Sequence, residues 1–266
     1  MTDSSALLAA YDEQLRGAAE ALGAPVRFRL GPLWVAVFPG GRGFLSYRDL
    51  GGLSPRGIRA LVSAALAILT ADATITEIEW KTRGHDRADG LHEALVDAGF
   101  TAQEPESIML GAAELLALDL PLPAGVGLRR VTAPDDVRRA SAAADRFFGG
   151  QPDEGRFVDL LGRIERGAEV WVAEAAGEVV STGRLEPVEG TAFAGLWGGA
   201  THADWRRRGI YRALTAARAR SAVARGVQYL NSDSTEDSRP ILERSGFVKV
   251  GTTTPYEWHR GDVTPG

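Results

Sequence analysis

Arg206, Arg207 and Arg208 stand directly before Gly209, Ile210 and Tyr211, and an alanine-rich segment then runs to Gly226. A helix N-terminus already carries partial positive charge, so three cations there cost free energy unless an anion joins them. The residue types suit a diphosphate. The free amides of a first helical turn can point at it, glycine lets the backbone come close, and guanidinium groups add charge-assisted hydrogen bonds. A solvated basic helix end and a DNA-contacting helix are the other readings of this run. The 266-residue chain carries a formal net charge of -5 and shows no second basic patch, which argues against nucleic acid.

Cysteine is absent, so disulfides, thiolate metal sites and cysteine nucleophiles are excluded, and no metal is expected. The first residues, MTDSSALLAAYDEQLRG, are acidic and polar where a signal peptide would be basic and then apolar. Leu7, Leu8, Tyr11, Leu15 and Leu22 predict an amphipathic helix there. No apolar run reaches membrane length, so the expectation is a soluble, cytoplasmic protein with no membrane partner.

Stepping outward from the arginine run, TAFAGLWGGATH predicts the strand that leads into it. Ile210, Ala213, Leu214, Ala217, Ser221 and Ala224 predict one face of the helix that follows, with Gly226 as its stop. VQYLNSDS reads as the next strand, SRPILERSG as a short helix and FVKVGTTTPYEWH as a last extended segment. Before them come a strand (GLRRV), helices in PDDVRRASAAADRFF and RFVDLLGRIERG, and a hairpin turning near Gly177. The upstream half echoes this order. LWVAVF and GFLSYRDL are expected strands, and Ser54 caps a helix with Pro55 in its first turn. TITEIEW is another strand, and a helix closed by Gly99 follows. RGIRAL at 56–61 parallels RGIYRAL at 208–214, and LVDAGF at 95–100 parallels LERSGF at 242–247, which suggests a duplicated unit. The Pro- and Gly-rich stretch at 119–127 marks the expected boundary. It divides a lobe at 1–120 from a lobe at 128–266 across a linker at 121–127.

The region 126–260 resembles the GCN5-related N-acetyltransferase (GNAT) family. Arg206-x-x-Gly209-Ile210-Tyr211 falls where that family has Gln/Arg-x-x-Gly-x-Gly/Ala, and LERSGF matches a second landmark. The resemblance implies an α/β (α+β) fold with a mixed, mostly antiparallel sheet flanked by helices. It implies acetyl-CoA as cosubstrate, held by Ala200, Thr201, His202 and the turn Arg206, Arg207, Arg208, Gly209, Ile210, Tyr211 and Arg212. The fourth strand would splay from the fifth, and Gly198 and Gly199 would permit a bulge that frees an N–H for the thioester carbonyl. The N-terminal lobe resembles a degenerate copy, and Pro55 in its counterpart loop removes a donor, so no cofactor is expected there. Two positions depart from the family: Tyr211 stands where a small residue is usual, and Leu242 where a tyrosine acid is frequent.

The implied reaction is acetyl transfer to the amine of a small molecule. His202 and Asp233 are the candidate bases, Glu186 a further one, and Tyr256 the candidate acid. The acidic group Asp233, Glu236 and Asp237 favours a cationic acceptor by sign. Two other readings are a CoA-binding sensor without turnover and a protein or peptide N-acetyltransferase. The expected assembly is a monomer or homodimer.

Overall fold

The computed structural model describes residues 3–261. In chain order its elements are helix α1 (Ser4–Gln14), strands β1 (Val26–Leu30), β2 (Leu33–Phe38) and β3 (Arg42–Ser46), helix α2 (Pro55–Thr70), strand β4 (Glu77–Arg83) and helix α3 (Leu91–Asp97). Next come β5 (Thr101–Ala102), β6 (Glu106–Ala112), α4 (Ala113–Leu116), β7 (Val126–Val131), α5 (Pro134–Phe147), α6 (Glu154–Glu165) and β8 (Glu169–Ala175). The chain ends with β9 (Glu178–Pro187), β10 (Phe193–Thr201), α7 (Ile210–Ala224), β11 (Tyr229–Ser234), α8 (Arg239–Ser245) and β12 (Val248–His259).

Two compact units result. One gathers Leu8–Ile108 with the segment from Gly251, and the other gathers Met109–Val250 with the segment up to Leu7. The divisions therefore fall inside α1, β6 and β12, where the Pro/Gly stretch at 121–127 was the expected boundary. The chain leaves the first unit midway through β6 and returns to it midway through β12.

In the first unit β1, β2 and β3 form an antiparallel run, β4 lies parallel to β3, and β12 pairs antiparallel with β4. Its core gathers Ile58, Val62, Ala65 and Leu69 of α2 with Ile78 and Trp80 of β4 and Tyr256 and Trp258 of β12. The helical spacing of the α2 residues is the amphipathic pattern in the sequence. Ser54 caps α2 as expected, its Oγ accepting from the Gly57 N–H at 3.3 Å, with Pro55 first in the helix. The N-terminal helix stops at Gln14, and a 3₁₀ turn at Gly17–Ala21 carries the chain onward, so Leu22 lies beyond the helix expected to include it.

In the second unit β7 to β10 are antiparallel neighbours in sequence order, and β11 lies parallel to β10. The same plan therefore occurs twice, an antiparallel run followed by a helical crossover to a parallel strand, with α2 and α7 as the two crossovers. Helices α5 and α6 share a cluster with Val170 and Val172 of β8. On the opposite face Ala219 and Ala222 of α7 pack with Leu185, Ala194, Leu196 and Leu230. The buried face of α7 is wider than the sequence pattern predicts: it takes in Thr215, Ala216 and Arg218, while Ala224 is exposed. Small side chains let the helix lie close to the sheet on a broad front.

Candidate active site

The arginine run sits at the end of β10. Ala200 and Thr201 pair with Thr182 and Ser181 of β9. Ser181 Oγ donates to the Ala200 carbonyl at 2.7 Å and shares a hydrogen bond with Thr201 Oγ1 at 2.8 Å. His202 is exposed; its Nδ1 accepts from the Asp204 N–H at 3.3 Å, and its ring meets Phe147 edge-on at 5.7 Å. One 3₁₀ turn, Ala203–Trp205, leads to Arg206.

The backbone then turns sharply into α7. Arg207 has φ +60° and Gly209 φ +81°, both left-handed, and a Cβ built on Gly209 would meet nothing within 4 Å. A non-glycine residue in that region is uncommon and marks a constrained turn. Ala213 donates to the Gly209 carbonyl at 3.0 Å, and no side chain caps the helix. Among the described residues, the N–H groups from Arg207 to Arg212 have no backbone acceptor. A helix start with unclaimed amides is an anion site in waiting.

The arginines divide their work. Arg206 Nε donates to the Thr201 carbonyl at 3.1 Å, which ties the turn to the end of β10. Arg208 lies over the Trp205 ring, 4.9 Å from its centroid. Both are exposed, as is Arg207, while Arg212 is half-buried with its Nε unpaired. The turn therefore offers main-chain donors and cationic side chains together, and it fits a diphosphate.

Beside the turn the sheet forks. β10 pairs with β11 only at Phe193–Tyr229, Ala194–Leu230 and Gly195–Asn231. Beyond Gly195 the two parallel strands separate. Ser232 holds the crotch, its Oγ donating to the Leu196 carbonyl at 3.0 Å. The other edge of β10 shifts register against β9 between Trp197 and Ala200, where Gly198 takes φ +58°. This is the bulge expected at Gly198 and Gly199, and two consecutive glycines allow it. Tyr211 fits there because Gly199 has no side chain: a Cβ on Gly199 would lie 2.8 Å from the Tyr211 ring. The glycine makes the room that a small residue in place of Tyr211 would otherwise provide.

The other candidates are spread out. Asp233 lies on β11 beyond the last pair with β10, half-buried. Glu186 accepts from two guanidinium groups, Arg184 Nε at 2.7 Å and Arg163 at 3.1 Å. Tyr256 belongs to the core of the first unit, where its hydroxyl meets His92 Nδ1 at 2.8 Å; burial, with Glu93 nearby, pushes its phenol up. Leu242 is buried among Leu196, Leu230 and Phe247 and is a core residue.

Two arginines at the bulge escaped the sequence reading. A Cβ on Gly198 would come within 2.5 Å of Arg184, and one on Gly183 within 2.6 Å of Arg218. Arg218 is fully buried and donates to the carbonyls of Leu214 and Arg184 and to Thr215 Oγ1. Burial pulls its guanidinium down to about 10, against the opposing influence of Tyr211. The signal was available only as glycines on strands, whose partners are not adjacent in sequence.

A mixed sheet forked beside an uncapped helix start defines a GNAT fold. Residues 157–260 match the acetyltransferase (GNAT) domain model. The fold resembles a GCN5-related N-acetyltransferase from Kribbella flavida, with TM-score 0.67 at 18% identity over 98% of this chain and 95% of that one. It also resembles a tandem GNAT protein from the clavulanic acid biosynthesis pathway, with TM-score 0.63 at 16% identity over 98% and 97%. A GCN5-related N-acetyltransferase from Sphaerobacter thermophilus aligns with TM-score 0.62 at 15% identity over 86% and 76%. No curated protein matches the chain in sequence. Among the described residues no helix is long and apolar enough to cross a membrane, and no group of His, Asp and Glu could hold a metal ion.

Proposed function

We propose that the protein transfers the acetyl group of acetyl-CoA to the amine of a small molecule, at the fork between β10 and β11. The observation that carries this reading is the pairing of β10 with β11 that ends at Gly195, next to a helix start whose amides are unclaimed. A linear thioester arm suits the open strand edge, and a diphosphate suits the turn Arg206–Arg212. Acetyl-CoA supplies the activated acyl group; the amine attacks its carbonyl, and the CoA thiolate departs and takes up a proton. Ala200, Thr201 and His202 line the strand, and the bulge at Gly198 orients the acyl oxygen.

His202 and Asp233 stand on the two arms beyond the fork, one at the end of each strand, and are the proposed proton acceptors for the acceptor ammonium. The buried Leu242 leaves the thiolate without a tyrosine acid at that position. That observation favours a second reading, a CoA-binding sensor that does not turn over.

Titration calorimetry with CoA tests the site. Arg206→Ala and Arg208→Ala are each expected to weaken binding by about 1–3 kcal/mol, the cost of losing a charge-assisted hydrogen bond. Unchanged affinity in both variants removes the assignment. Thiol release from acetyl-CoA across an amine panel separates the enzyme from the sensor, which binds CoA and releases none.

A further inference from the structure

The α5/α6 face of the sheet holds polar groups that the cofactor site does not use. Register places Glu186, Gly195 and Asn231 in one cross-strand row and Arg184 with Trp197 in the next. Val170, which packs in the α5/α6 cluster, pairs with Arg184, so this row faces those helices. Gly195 has the Trp197 indole folded over it: a Cβ there would lie 2.1 Å from the indole nitrogen. Asn231 is 6% exposed, and its Oδ1 is buried without a partner. A buried carbonyl oxygen left unpaired costs free energy and calls for a donor from outside the chain.

Arg184 is the centre of this face. Glu186 takes its Nε and thereby fixes the plane of the guanidinium, whose NH1 edge lies over Gly198 in the bulge. The side chain is 30% exposed, so it is both oriented and reachable. On this face Arg163 and Arg184 share two carboxylates, Glu186 and Asp159, and Glu186 takes only the Nε of Arg184. An oriented guanidinium whose terminal nitrogens are not engaged by a carboxylate is a receptor for a planar anion.

We propose that Arg184 receives a carboxylate carried by the acceptor, so that the acceptor is an amino acid or a similar aminocarboxylate. This rests on the acetyl-transfer reading above. It reverses the sign suggested by Asp233, Glu236 and Asp237 in the sequence. Glu236 is engaged by Arg239 at 2.7 Å, and the bulge presents guanidinium groups instead.

The test compares L-amino acids with their amides as acceptors, for the wild type, Arg184→Gln and Arg184→Lys, with CoA affinity measured on each. The amide keeps the amine and removes the anion. The ratio of kcat/KM for acid over amide is expected to fall at least about tenfold in Arg184→Gln and less in Arg184→Lys, with CoA affinity unchanged. Should Arg184→Gln fail to fold, Arg184→Lys retains the charge and still reports the ratio. An unchanged ratio, an equal loss with acid and amide, or no acetylation of any amino acid by a protein that binds CoA overturns the proposal and leaves the acetyl-transfer reading standing. Failure of the wild type to bind CoA removes both.

Discussion

The two crossovers of this protein share a plan and differ in what they leave open. In the first unit β3 pairs with β4 up to Leu45, one residue before the strand ends, and Ser54 satisfies the start of α2 from within. In the second unit β10 runs six residues past its last pair with β11, and α7 begins at a bare glycine. Buried charge follows the same division. Glu20 accepts from Arg83, Ser46 and the Gly17 N–H, and Lys81 stands 3.9 Å away, so its oxygens are saturated inside the unit. Arg218 of the second unit has no carboxylate partner among the described residues. The first crossover helix is capped from within, and the second starts without a side-chain cap.

The comparison breaks most visibly at Glu20. Glu20→Ala removes the buried carboxylate that Arg83 and Lys81 share and is expected to cost ~3–5 kcal/mol in denaturant unfolding, with CoA affinity of the folded protein unchanged. The pH dependence has a definite sign. Burial alone would raise the Glu20 carboxyl, but Arg83, Lys81 and Ser46 outweigh it, and the net shift is downward. A depressed carboxyl contributes stability that is present above its unfolded value and is lost as pH falls through the folded one, and Glu20→Gln should remove that acid-side loss.

Next in size is the bulge. Gly198→Val places a side chain in a left-handed conformation and against Arg184, and should lower turnover by about 10²-fold with little change in CoA affinity. A loss of CoA affinity as large as the loss of rate would mean that the bulge serves binding and not the acyl oxygen. The smallest effect sharpens the contrast from the closed side. Ser54→Ala should cost about 1 kcal/mol of stability, read as a fall in melting temperature, and leave CoA binding untouched.

The strands and crossover helices were legible because period-2 and period-3.6 patterns sit in short windows. The turn Arg206–Arg212 and the bulge at Gly198 were legible for the same reason: both are local. What escaped was non-local. Arg184 and Arg218 take their meaning from Gly198 and Gly183 across strand or helix packing, and nothing in a window around either residue announces it. β1 and β6 were missed as well: VRFRL is short and charged, and ESIMLGA lies between a helix and a Pro-rich stretch that drew attention to the loop. Tyr256 was the expected acid in place of the tyrosine absent at Leu242, whereas β12 carries it into the core of the first unit.

The interleaved path of the backbone constrains how the molecule can be made. Tyr256 and Trp258 complete the interior of a unit whose other residues emerge from the ribosome some 150 positions earlier, so that unit must wait, unsealed, while nearly all of its sibling is synthesised. Severing the chain at the proline-rich connector would accordingly yield two fragments that each lack a strand the other holds, and mixing them should restore what neither attains alone.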